Sequence, residues 1–228
     1  METNWRHDLQ YGSLVLGVDE AGRGPLAGPV VCAVCAMGDN YLPGIDDSKK
    51  LSKVRLVELY SIIIERAVGY CIVAIDNNTI DNINILNATK LGMYQAISQC
   101  IVSNQLTSVD CAISPILQSQ CNNLHIDEHG PMPCRPIAHT DNLTILVDHV
   151  KLSIPNSVSI THGDSISYNI AAASILAKVS RDNIMCKYAI QYPHYNFDRH
   201  KGYPTQLHYQ AIQQYGVTPI HRKSFRLV

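Results

Sequence analysis

The chain has 228 residues, of which 46% are hydrophobic and 16% charged, so a core of ordinary extent for one domain can form and general disorder is excluded. Eighteen Lys and Arg against nineteen Asp and Glu leave a net charge of −1, which excludes holding nucleic acid by bulk positive charge and leaves only local contacts with a polyanion. No apolar run approaches the ~18 residues of a membrane span, and residues 1–10 mix charges of both signs without an apolar stretch; a cytoplasmic protein with no membrane partner is expected.

Leu14-Val-Leu-Gly-Val18 predicts a buried strand that ends at Asp19 and Glu20. A short loop, Ala21-Gly-Arg-Gly-Pro-Leu-Ala27, leads into a second β-rich run over residues 28–37, near enough to pair antiparallel with the first. Residues 39–50 read as a loop, with Pro43, Gly44, Asp46 and Asp47. Ser52 can cap a helix in which Leu56, Leu59, Tyr60 and Ile63 recur at helical spacing. A strand over 69–75 and a helix over 85–102 follow. Leu143-Thr-Ile-Leu-Val147 is a strand ending at Asp148, and 157–161 alternates as another before Gly163 and Asp164. Residues 165–190 predict one uninterrupted helix with an Ala-rich centre, and Thr205 can cap a last helix that stops at Gly216.

The order β-β-α-β-α-β-β-α-α makes an α/β protein, a mixed sheet flanked by helices, in a single domain spanning 1–228 with a C-terminal helical part from about residue 191. Residues 104–141 stand apart: polar, rich in Pro and His, and longer than the usual ~12–15 residues of a structureless connection. Their Cys111, Cys121, His125, His129, Cys134 and His139 match no paired zinc-ligand spacing, so an inserted surface loop is the expectation. The eight cysteines read as reduced and mostly buried. Cys32 and Cys35 form a C-x-x-C, but in an extended run residues three apart face opposite sides.

Acidic residues sit where apolar strands stop: Asp19 and Glu20, Asp148, and Asp164 just past the fifth strand. If those strands are neighbours, four carboxylates converge, and their mutual repulsion calls for hard divalent cations with oxygen ligands. Two Mg2+ or Mn2+ ions ~3.5–4 Å apart would suit phosphodiester hydrolysis. The bland alternative makes each acid a turn residue. Directly after Asp19 and Glu20, Gly22-Arg-Gly-Pro25 looks like a loop that lets backbone approach a ligand, with Arg23 able to fork onto phosphate or ribose oxygens.

Val18-Asp-Glu-Ala-Gly-Arg-Gly-Pro-Leu-Ala-Gly-Pro-Val30 closely resembles the signature of type 2 ribonucleases H, specifically the ribonuclease HII family. The likeness continues in Asp47-Ser-Lys-Lys-Leu51, in Gly163-Asp164 with Ile170-Ala-Ala-Ala-Ser-Ile-Leu-Ala-Lys-Val179 and Arg181-Asp182, and in His200-Lys-Gly-Tyr-Pro-Thr205 with Pro219-Ile-His-Arg-Lys-Ser-Phe225. The resemblance implies an RNase H-like fold and a metal-dependent endonuclease. Its substrates would be RNA-DNA hybrids and duplex DNA with embedded ribonucleotides, cut 5′ of the ribonucleotide to leave 3′-hydroxyl and 5′-phosphate ends. It places the metal ligands at Asp19, Glu20, Asp148 and Asp164. Asp148 departs from the pattern in being followed by His149 rather than Gly. Asp182, one turn after Lys178, has a sufficient reason in an i,i+4 pair and is left structural.

The resemblance also implies that Gly22, Arg23 and Gly24 read the 2′-hydroxyl, and that Tyr203 packs on the sugar of the next deoxynucleotide. Lys49 is a candidate phosphate contact. Ser174, Lys178 and Arg181 share a helix face that could meet the backbone, with a solvated face the alternative for Arg181. Lys201, His221, Arg222 and Lys223 add positive charge near the C-terminus. No clamp-binding tail is evident, and a monomer is expected. The rivals are a hybrid-binding module without catalysis, which would lack one of the acids, and an acidic-site phosphatase, which would need a covalent nucleophile or compact phosphate cradle.

Overall fold

A computed structural model describes residues 2–101, 132–139 and 141–227. Among the described residues six strands form one sheet: β1 (Val15–Ala21), β2 (Val30–Ala36), β3 (Gly69–Ile75), β4 (Cys134–Arg135), β5 (Thr144–Asp148) and β6 (Ser157–Ile160), in the order β4-β3-β2-β1-β5-β6. β1 pairs antiparallel with β2 and parallel with β5, in registers that set Asp19 opposite Ala33 and Val18 opposite Val147. The expected β1-β2 pairing and the neighbouring of the two acid-tipped strands are therefore both present.

Helices α1 (Glu2–Asp8), α2 (Lys53–Arg66), α3 (Asn77–Ile83), α4 (Ile85–Cys100), α5 (Gly163–Ile166), α6 (Tyr168–Gln191), α7 (Phe197–His200) and α8 (Gln206–Tyr215) complete the described chain. Central β2 is buried along its whole length, because helices cover both faces and its Val and Cys side chains have apolar partners on each. One core joins Val31, Ala33 and Cys35 to α2 and α6; the other joins Cys32 and Val34 to α4. Cys32 and Cys35 thus lie on opposite faces of the sheet, as the alternation requires. Cys71 and Cys100 are buried with them, while Cys134 and Cys186 are exposed thiols.

The Ala-rich middle of α6 lets that helix pack closely across β1 and β2. Gly17 marks the tightest point: a Cβ there would fall on the main chain of Asn169. This close contact fixes the end of β1, and with it Asp19 and Glu20, against the first turns of α6.

The structure corrects two expectations. The helix expected over 165–190 is broken at Ser167, whose backbone is extended (φ −102°, ψ 131°) and whose hydroxyl accepts from the Ile170 amide as the N-cap of α6. Asp164 therefore belongs to a separate short turn. In the stretch expected to be an excursion, Cys134 and Arg135 pair with β3 and Ile137 is buried, bridging to Ile101. Residues 102–131, with Cys111, Cys121, His125 and His129, lie outside the described residues. His139 is described, and no group of three His, Cys, Asp or Glu side chains among the described residues is placed to hold a metal ion. Among the described residues no helix is long and apolar enough to cross a membrane.

Candidate active site

The C-terminal ends of β1 and β5, the loop after β1, the loop before α2 and the first half of α6 enclose a pocket of about 300 Å³. Asp19, Glu20, Gly22, Arg23, Gly24, Ser48, Lys49, Asp148, Ser174, Lys178 and Tyr203 line it. It gathers three of the four candidate acids with Gly22, Arg23, Gly24, Lys49, Ser174, Lys178 and Tyr203; Asp164 stands outside the lining, bonded to Lys49, and Arg181, Lys201, His221, Arg222 and Lys223 do not line it.

Asp19 is 4% exposed, and one carboxylate oxygen accepts from the Glu20 amide at 2.7 Å. Burial raises its pKa well above the ordinary carboxylate range, and the charges of Glu20 and Asp148 raise it further. Glu20 is pushed up to about 7, chiefly by burial, with Arg23 pulling the other way. Arg23 meets one of its oxygens, at 3.5 Å; the other, Oε2, is buried with no hydrogen-bond partner among the described residues.

Asp148 ends β5 and accepts from the Gly163 amide at 2.6 Å. Burial raises its pKa, and the Gly163 amide offsets part of the rise. His149 after it adopts φ +52°, so the chain makes a left-handed turn at the position where the resemblance puts Gly. Asp164, 3% exposed, accepts from the Lys49 ammonium at 2.7 Å. That bond is the main cause of the raised Lys49 pKa.

Taken as the side chains lie, no three described acids, His or Cys enclose an ion, and the Lys49 ammonium occupies one oxygen of Asp164. The donor set nevertheless fits hard divalent cations. A buried carboxylate oxygen without a partner is costly, all the candidate ligands are oxygens, and the pKa values of Asp19, Glu20 and Asp148 stay raised despite Arg23 and Lys49 nearby, a balance that a cation would offset. Asp19, Glu20, Asp148 and Asp164 are the residues that would hold it.

Ser174 shares a hydrogen bond with Ser48 at 2.9 Å, and its hydroxyl is among the groups that lower the Asp19 pKa. Lys178 lines the pocket while pairing with Asp182 at 2.9 Å, the i,i+4 pair expected for Asp182. Tyr203 is 40% exposed, with its ring beside Gly24.

Two readings of basic residues are corrected. Arg181 is neither a backbone contact nor a solvated side chain: it is 1% exposed and donates to the carbonyls of Ala27, Pro29 and Lys201. Arg222 and His221 add no positive surface, since both are 0% exposed. Arg222 donates to the carbonyls of Gly22, Arg23 and Gly28, and burial lowers the His221 pKa to about 4, leaving it neutral near pH 7. The available signal was that Arg181 falls on the buried stripe of α6, four residues from both Ala177 and Met185. Gly22 is the counterpart of this arrangement. It has φ +99°, and a Cβ there would collide with the Arg181 guanidinium.

The sequence model of the family described as Ribonuclease HII matches residues 16–228. A ribonuclease HII of Clostridioides difficile is 43% identical over 210 residues, covering 92% of this chain and 68% of the relative. One from Chlorobium chlorochromatii is 38% identical over 234 residues, covering 100% and 97%. Among solved structures, the ribonuclease H2 of Pyrococcus horikoshii superposes with a TM-score of 0.65 at 22% identity, covering 94% of each chain. Bst-RNase HIII, solved in complex with Mn2+, gives 0.61 at 14%, covering 97% of this chain and 70% of that one. At these identities the structures speak for the fold alone, an RNase H-like α/β sheet, while the sequence relatives and the family match carry the assignment. The chain belongs to the ribonuclease HII family and is a ribonuclease H, an endonuclease acting on RNA-DNA hybrids.

Proposed function

We propose that this ribonuclease H is a metal-dependent enzyme that also incises duplex DNA on the 5′ side of an embedded ribonucleotide, leaving 3′-hydroxyl and 5′-phosphate ends. The observation that carries the reading is the single pocket in which buried acids, the Gly22, Arg23 and Gly24 loop and an exposed tyrosine meet. Asp19, Glu20, Asp148 and Asp164 would hold Mg2+ or Mn2+, two ions in all, and the bound ions would supply Lewis acidity for the attacking water and the departing 3′ oxygen.

The remaining work falls to the chain's own groups. The backbone and side chain of Arg23 with the flanking glycines grip the ribose 2′-hydroxyl, the feature that separates RNA from DNA. Tyr203, beside Gly24, packs on the following deoxyribose, where a second 2′-hydroxyl would be crowded. Lys49, Lys178 and Ser174 flank the scissile phosphate and its neighbours, holding the strand in register. Lys49, bonded to Asp164 in the free protein, would be released to meet a phosphate once that carboxylate is engaged by a cation. A monomer acting in the cytoplasm on duplex nucleic acid completes the reading.

The test is a labelled DNA duplex carrying one ribonucleotide, incubated with the protein with and without Mg2+ or Mn2+, and the cut mapped. A cut 5′ of the ribonucleotide that depends on the ion is expected; a cut elsewhere, or one unaffected by chelation, contradicts the reading. Asp19→Asn and Asp164→Asn should abolish cleavage while leaving folding and much of the duplex binding intact. Normal turnover by either purified variant removes that residue from the site.

A further inference from the structure

The recognition loop and Tyr203 are held from behind by two buried arginines. Among the described residues, both guanidinium groups donate their hydrogen bonds to main-chain carbonyls rather than to carboxylates. Arg222 reaches Gly22 O at 2.6 Å, Arg23 O at 2.9 Å and Gly28 O at 2.9 Å. Arg181 reaches Pro29 O at 3.0 Å, Ala27 O at 3.2 Å and Lys201 O at 3.0 Å, and its Cζ lies 5.7 Å from the centre of the Tyr203 ring. Burying a guanidinium without a counter-charge is expensive, and two such groups side by side repel each other. Burial lowers Arg181 to about 10, and burial with the charge of Arg181 lowers Arg222 to about 9, so both remain charged at neutral pH.

The gain lies in peptide orientation. A trans peptide unit points its N–H opposite to its C=O, and no cis bond occurs among the described residues. With the carbonyls of Gly22 and Arg23 drawn inwards to Arg222, the amides of Arg23 and Gly24 face the other way, into the pocket that these residues line. Neither amide donates to another main-chain group in the described structure. The same fork geometry joins the loop to the tyrosine: Arg181 holds Ala27 and Pro29 on one side and Lys201, two residues before Tyr203, on the other. The Leu26 amide completes the link by donating to Gly202 O at 2.8 Å.

We propose that Arg181 and Arg222 form a buried cationic clamp that fixes the pocket-facing amides of the glycine-rich loop and the Tyr203 ring as one rigid unit, and so act as positioning residues for the choice of ribose over deoxyribose. The clamp rests on the reading of the loop and Tyr203 given under the proposed function. Its two charges, lying directly behind the loop, also favour the phosphate chain in front of it.

Arg181→Lys and Arg222→Lys keep the charge and lose the fork. Each is expected to lower kcat/KM on a single-ribonucleotide duplex about ten- to a hundred-fold, the scale of a small misplacement of a positioning group, with a smaller loss on a continuous RNA-DNA hybrid. Combined with Tyr203→Ala, the Arg181→Lys penalty should be less than multiplicative, because both changes disable one unit. Ile97→Val, in the core on the opposite face of the sheet, reports stability loss alone and should leave the ratio of the two substrates unchanged.

Equal losses on both substrates, or fully multiplicative losses with Tyr203→Ala, would overturn the clamp while leaving the site reading in place. A wild-type protein that fails to incise the ribonucleotide duplex overturns the site reading itself, a separate failure. A wild-type measurement covers variants that do not fold: amide hydrogen exchange in EDTA, with and without the ribonucleotide duplex. The Arg23 and Gly24 amides should exchange rapidly in the free protein and slow markedly when the duplex is added. Strong protection without duplex would show that they point inwards, and the clamp would be wrong.

Discussion

Gly22 and His149 both occupy the left-handed half of backbone space, at φ +99° and +52°, and only the first is glycine. At Gly22 the reason is double, since a side chain would be strained and would also strike Arg181. Gly22→Ala is therefore expected to cost on the order of 2 kcal/mol or more, read as a lowered urea midpoint at unchanged m-value. At His149 the strain is carried without an evident return. His149→Gly should raise stability by about 0.5–1 kcal/mol, the left-handed penalty less the entropy glycine loses on folding, and an unchanged or lowered midpoint would contradict that account. The acids were legible in the sequence because each sits at the last residue of an apolar run or one turn beyond it, which is a one-dimensional signal. The pairing of Asp182 with Lys178 was legible from helix spacing alone, and the two side chains stand 2.9 Å apart. The inward turn of Arg181 was signalled only by its place on the apolar stripe of α6, and that of Arg222 was not signalled at all, because their partners are carbonyls of residues 22–29 and 201, far away in the sequence.

At the scale of elements, the strands and long helices were readable, and the errors fall where a single side chain competes with the backbone. Ser167 is the case in point. Its neighbours favour continuous helix, yet its hydroxyl caps Ile170 and its amide reaches Gly163 O at 2.8 Å, so the chain turns there. The break lets Gly163 give its amide to Asp148 and sets Asp164 beside Lys49. Ser167→Ala removes the cap and is expected to cost about 1 kcal/mol, with a fall in cleavage beyond what the lost stability explains. Full activity at the lowered melting temperature would mean that the turn is held by packing instead. The two-residue β4 and the seven-residue α3 were missed because they are too short to show a period; tertiary pairing with β3 and docking of Ile80 in the core define them.

At the scale of the whole molecule, a net charge of −1 conceals charged groups held out of water: Asp19 and Asp164 at the site, and Arg181 and Arg222 behind the glycine-rich loop. Next to Arg222 in the chain, His221 is buried with His208 in a neutral relay. The relay has a fixed direction. The Thr218 amide donates to His221 Nδ1 at 2.8 Å, so the proton of His221 is on Nε2, which donates to His208 Nε2 at 3.1 Å; His208 then donates from Nδ1 to Tyr203 O at 3.0 Å. An added proton breaks this chain. Burial lowers both histidines from 6.5 to about 4, so between those values the unfolded chain binds protons that the folded protein refuses, and stability falls as pH falls. The shift corresponds to about 3 kcal/mol for the first proton. Glu20, raised from 4.5 to about 7, works in the opposite sense, gaining stability as pH falls through that window. The histidine effect is therefore best read in an Asp19→Asn, Glu20→Gln background, by urea unfolding at intervals from pH 7 to 4. His221→Asn keeps an acceptor for the Thr218 amide and removes one titration, and should flatten the slope of stability against pH in that range. An unchanged slope would mean that the histidines accept protons without disturbing the fold, and that Tyr203 O is held by other contacts.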